Sequence, residues 1–222
     1  MDPVNTLIGG AIATLILVFL FFISRQKPST ARQRFALENP LMRKWVGSEV
    51  ILERLATTPG MRVLEVGCGG GRLAIPLARR VGSTGEVVAI DTQERLLTKL
   101  RKVVKFQDIH NLKPMFADIE TVGLEKEGFD RIVMALVIGD VADPKKAMRN
   151  VARMLKPGGV VSITEFAFTA HYISRTRLKK LMMQIGLELD HQYGGWMGYT
   201  INYVKPALQE DPWRQRRPID LT

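Results

Sequence analysis

Residues 61–72 read MRVLEVGCGGGR, and no other stretch limits the fold as tightly. A short apolar run opens directly into Gly67, Gly69, Gly70 and Gly71, and residues with helical spacing follow. That order is a strand, a tight turn and a helix. Glycine allows positive φ and a close approach of backbone to ligand at the carboxyl end of a strand. Counted from Gly67, the pattern is G-x-G-x-G. The sixth position, where a dinucleotide fingerprint needs its third glycine, is Arg72. The turn suits a nucleoside without pyrophosphate better than a dinucleotide.

The remaining chain alternates in the same way. Apolar spacing predicts helices over 41–56, 72–81, 92–106, 144–155 and 174–185. Strands are predicted over 61–66, 85–90, 113–117, 129–136, 159–166, 187–191 and 199–204. Strands separated by helices imply an α/β fold with a mostly parallel, doubly wound sheet. No internal repeat or second-domain linker interrupts it.

Two carboxylates fall in register with the glycine turn. Asp91 ends the second predicted strand, where a carboxylate can accept ribose hydroxyl protons. Asp118, in Ala117-Asp118-Ile119, follows the third and can accept from an adenine amino group. Each alone reads equally as a helix cap or turn residue. Together with the turn they define a nucleoside site.

These residues make the chain resemble the class I S-adenosylmethionine-dependent methyltransferases. The resemblance covers about residues 40–205. It rests on Val63 to Gly71, on Val87-Val88-Ala89-Ile90-Asp91, on Asp118-Ile119 and on Leu155-Lys156-Pro157-Gly158-Gly159. It implies a Rossmann-like seven-stranded sheet with an antiparallel last strand, and S-adenosyl-L-methionine as methyl donor. It further implies that Glu65 orients the methionine amino group and that Gly67, Gly69 and Gly71 pack on the cofactor. Asp91 would hold the ribose, and Asp118 with Ile119 the adenine. The subgroup it looks most like methylates quinones, sterols and phospholipids. Many of those enzymes carry a paired histidine or similar group after the fourth strand; here Gly139-Asp140 stands before Asp143-Pro144, so the acceptor chemistry does not carry over.

Methyl transfer is an in-line displacement, so an enzyme contributes positioning and, where the acceptor carries a proton, a base. Candidate bases at strand ends are Asp140, Glu165, His171 and Tyr172, with Asp140, His171 and Tyr172 put forward as catalytic. His110 and His191 read as peripheral, and Cys68 as a small packing residue. Three scattered histidines and one cysteine offer no metal-ligand spacing.

Residues 3–24 form an uncharged run of 22, about 33 Å long as a helix and enough for one bilayer crossing. Basic residues follow this run and none precedes it. The expectation is therefore a single-pass transmembrane helix over 3–24 and a basic linker over 25–39, with the methyltransferase domain over 40–205 on the cytoplasmic side. A basic tail covers 206–222. The net charge of +10 suits an anionic membrane face or nucleic acid alike, but no aromatic-interleaved basic motif argues for nucleic acid. The expected partners are the membrane and a lipophilic small-molecule acceptor. A catalytically silent cofactor-binding subunit and an NAD(P)-dependent oxidoreductase are the alternatives.

Overall fold

The computed structural model describes residue 14 and residues 47–167, 169 and 171–207. Helix α1 (Ser48–Leu55) leads into β1 (Arg62–Val66), α2 (Ala74–Val81), β2 (Glu86–Asp91), α3 (Glu94–Phe106) and β3 (Leu112–Phe116). The chain then forms β4 (Phe129–Ala135), a 3-10 turn (Ile138–Asp140), α4 (Pro144–Met154), β5 (Leu155–Phe166) and α5 (Arg175–Ile185). A hairpin of β6 (Glu188–Gly194) and β7 (Gly198–Val204) closes it.

The seven strands lie in the order β3-β2-β1-β4-β5-β7-β6. The first five pair in parallel, and β7 runs antiparallel to both β5 and β6. Alternation along the strands sorts side chains to two apolar layers. Val63, Val87, Ala89 and Val133 meet α1, α2 and α3 on one face. Leu64, Val88, Ile132, Met134 and Ile163 meet α4 and α5 on the other. With helices on both faces, the parallel strands are nearly continuous runs of buried residues. The strand order reverses between β1 and β4, which opens a crevice at the carboxyl edge beside the glycine turn.

Element boundaries moved for local reasons. The helix expected from residue 92 begins at Glu94, because Asp91 Oδ1 accepts the Gln93 N–H at 2.8 Å and holds that residue in extended backbone. β5 begins at Leu155 rather than 159. Leu155 pairs with Phe129, the ladder shifts register between Phe129 and Arg131, and Gly158 turns at φ 74°. β6 runs on to Gly194, which pairs with Tyr199 across the hairpin.

The expected location, a single-pass membrane protein with its domain on the cytoplasmic side, is corrected. Among the described residues no helix is long and apolar enough to cross a membrane. The longest, α3, has 13 residues, about 20 Å against the roughly 30 Å of a hydrocarbon core, and one of its sides is charged. The expected span over 3–24 (Thr14 apart), the linker over 25–39 and nearly all of the tail over 206–222 lie outside the described residues.

Candidate active site

Three elements meet at the carboxyl edge of the sheet. The first is the turn after β1. Gly67, Gly69 and Gly71 all take positive φ, at 74°, 55° and 90°, which explains glycine at every second position. The Gly67 and Cys68 N–H groups both donate to the Ile90 carbonyl, at 2.8 and 3.0 Å, tying the turn to the end of β2. A Cβ on Gly71 would lie 2.4 Å from Leu100 Cδ1, so this glycine lets α3 pack against the turn. Cys68 is buried in that contact, and burial pushes its thiol far above the usual range, which leaves it a packing residue.

The second element is the carboxylate row. Asp91, only 6% exposed, accepts the Gly69 N–H on Oδ2 at 2.7 Å and the Gln93 N–H on Oδ1 at 2.8 Å. A carboxylate oxygen has two lone pairs, so each keeps one for a ligand hydroxyl. Glu65 is buried on β1, in register between Ala89 and Val133. Asp118 is exposed, and its Oδ1 closes a turn by accepting the Glu120 N–H at 2.8 Å. Ile119 turns its side chain into the core, while Asn150 Nδ2 donates to its carbonyl at 2.8 Å. On a chain with net charge +10, acids gathered at this edge favour a ligand that carries positive charge.

The third element is the acceptor side. β4 is followed by Leu136, a non-glycine residue at φ 59°, a conformation that costs on the order of 1 kcal/mol or more and clusters at functional sites. This kink folds Val137 to Asp140 back over the glycine turn. A Cβ on Gly67 would lie 2.3 Å from Val137 Cγ2, so that contact too requires glycine. Gly139 faces the segment after β5 so closely that its Cβ would fall 1.7 Å from the His171 carbonyl oxygen. The two segments thereby place His171 Nδ1 2.6 Å from Asp140 Oδ1. Tyr172 is not part of this pair: its ring sits edge-on to Tyr199, 6.0 Å between centroids. Glu165, 1% exposed at the end of β5, has its carboxyl pushed up to about 8, chiefly by burial and further by the nearby Asp140.

The structure thus brings Asp140 and His171 together, sets Glu165 near Asp140, and sets Tyr172 against Tyr199. His110 pairs with Asp108 at 3.2 Å, and His191 stacks on Tyr193, both away from the crevice. The sequence reading missed Leu136, Gly139 and Tyr199. Gly139 beside Asp140 was a visible signal of close approach; the other two needed the strand order.

This fold and site place the chain among the S-adenosylmethionine-dependent methyltransferases. The model of the methyltransferase domain family matches residues 57–211, and the chain belongs to that family, with S-adenosylmethionine as its methyl donor. Ubiquinone/menaquinone biosynthesis C-methyltransferase UbiE of Idiomarina loihiensis is 38% identical over 109 residues, 49% of this chain and 43% of that protein. Demethylmenaquinone methyltransferase of Staphylococcus aureus is 33% identical over 115 residues, 52% and 47% of the two chains. The chain spans a little under half the length of these two relatives. The 2-phytyl-1,4-naphtoquinone methyltransferase of Trichormus variabilis is 29% identical over 171 residues, 76% of this chain and 69% of that one. Among solved structures, a SAM-dependent methyltransferase from Aquifex aeolicus shares the fold with a TM-score of 0.70 at 20% identity, covering 80% of this chain and 99% of that one.

The residues present fit the cofactor. The turn exposes Gly67 backbone, and the buried acids match a ribose and a cationic end.

Proposed function

We propose that this enzyme methylates a lipophilic, hydroxylated aromatic acceptor of the quinol class, with the catalytic unit spanning residues 40–205. The observation that carries the reading is the Asp140–His171 pair at 2.6 Å, on the crevice edge next to the glycine turn. The names of the relatives, which act on menaquinone-type and naphthoquinone compounds, support the acceptor class.

Bound S-adenosylmethionine supplies a sulfonium methyl that is transferred with its bonding electrons staying on sulfur. Glu65, the Gly67–Gly71 turn, Asp91, Asp118 and the Ile119 backbone hold and orient the donor. His171, with Nδ1 toward Asp140, presents Nε2 as the base that removes the acceptor's hydroxyl proton, which raises electron density at the ring carbon or oxygen to be methylated. Asp140 orients the imidazole and stabilises the imidazolium that forms. Both partners are about half exposed, so the pair contributes orientation more than stability.

The test is incubation of the purified chain with methyl-labelled S-adenosylmethionine and chemically reduced quinols of graded side-chain length. Turnover should need the reduced form and fall when His171 is replaced by alanine. Labelling of water-soluble metabolites only would end the quinol reading, and cofactor binding with no turnover on any acceptor would favour the silent subunit.

A further inference from the structure

Near the Asp140–His171 pair, two buried side chains converge on the backbone of one residue, Ile173. Glu165 on β5 and Tyr199 on β7 are direct partners in the antiparallel register. The Tyr199 hydroxyl donates to the Ile173 carbonyl at 2.7 Å, and the Ile173 backbone N–H faces the Glu165 carboxyl and favours its charged form. Ile173 lies two residues beyond His171, at the point where the segment from β5 enters α5. Ser174 caps that helix by accepting the Arg177 N–H. The upstream end is pinned as well: Thr169 donates from its side chain and its backbone to the Phe166 carbonyl, at 2.8 and 3.0 Å. Tyr199 is fully buried and Glu165 nearly so, and Glu165 Oε1 has no hydrogen-bond partner among the described residues.

We infer that Glu165 and Tyr199 are positioning residues that hold the backbone of Ile173, Tyr199 at its carbonyl and Glu165 at its N–H, and thereby set His171 against Asp140. The inference rests on His171 being the base. Neither residue touches the reacting atoms; each acts through the segment that carries the imidazole. A hydroxyl and a carboxyl suit the task because one must donate to a carbonyl and the other must accept from an N–H. Contacts to the carbonyl and the N–H of one residue restrain the two peptide planes that flank its Cα, whereas apolar packing alone would let the segment slide.

The experiment uses the full chain and reads His171 directly by 15N NMR of its ring, since the sequence holds only three histidines and replacing His110 and His191 leaves one signal. Pairing of Nδ1 with Asp140 holds the neutral ring in its Nδ1–H form, which has a distinct nitrogen pattern. Tyr199→Phe and Glu165→Leu should each return the ring to the Nε2–H form, and lower kcat at least tenfold with cofactor affinity unchanged within twofold. Glu165→Gln, which keeps an oxygen toward the Ile173 N–H, should keep the Nδ1–H form. The NMR signature needs no acceptor, so it tests the grip even if His171→Ala leaves turnover intact and the base assignment fails. If the Nδ1–H form survives in Tyr199→Phe, which removes one oxygen and should fold, the inference is overturned. Survival of the Nδ1–H form in Glu165→Leu would overturn the part assigned to Glu165.

Discussion

The two halves of the crevice are made by different means. On the cofactor side, every key contact joins residues of neighbouring βα units: Gly69 to Asp91 across 22 residues, Gln93 to Asp91 across two, Cys68 to Ile90 through backbone. On the acceptor side, Asp140 meets His171 across 31 residues and Tyr199 meets Ile173 across 26, with β7 threaded between strands made earlier. The first half is held by glycine conformations and backbone hydrogen bonds. The second depends on side chains carried by connecting segments. One half can therefore stay constant while the other is free to change its acceptor.

Substitutions can break this contrast, and the largest effect belongs to the acceptor side. His171→Ala should lower kcat by about a hundredfold or more, the usual contribution of a general base, with calorimetric affinity for S-adenosylmethionine unchanged. An equal loss of cofactor affinity would mean that the halves are not separable. Asp91→Ala should do the reverse: at least tenfold weaker cofactor binding, since a charge-assisted hydrogen bond contributes roughly 1.5–3 kcal/mol. Because Asp91 also holds Gly69 and Gln93, the variant should lose some thermal stability too, and wild-type affinity in a folded variant would remove the ribose assignment.

Glu165→Gln sharpens the comparison through stability. The raised carboxyl means that the folded chain keeps a proton the unfolded chain releases. Wild-type stability should therefore fall as pH climbs from the ordinary carboxylate range toward about 8, by at most about 1.4 kcal/mol per pH unit, and level off above it. The glutamine variant should lack that slope in denaturant titrations at pH 6, 7 and 8. Smallest of all, Asp118→Ala should weaken cofactor binding only severalfold, because the residue is exposed and one of its oxygens already closes a turn.

Legibility in the sequence follows the same division. Gly67, Gly69, Gly71 and Asp91 could be read because their roles are local: a φ that only glycine takes easily, and a carboxylate at the end of the next strand. The helix limits near Gln93 were off by two residues because a side chain outcompeted the helix for one N–H. Asp140 and His171 were visible as candidates, but their pairing was not, since no periodicity links residues 31 apart on separate connections. Tyr199 was read only as the first residue of a closing strand. Its hydroxyl gained a role only when the sheet order set β7 against β5. The expected membrane location came from the composition of 3–24, and no described helix is long and apolar enough to support it.

The insertion of β7 between β5 and β6 also bears on how the molecule is made. Residues 62–135 can pair β1 to β4 as they leave the ribosome, and these strands bring the glycine turn and its carboxylates together. β5 then waits with one open edge until residues 198–204 are synthesised, because its neighbour on that side is the last strand and not the next. During that interval an unpaired, apolar strand edge is available to other chains. A chain cut before Gly198 would keep that edge for its whole lifetime, so a nascent or truncated product should engage chaperones that the finished protein does not.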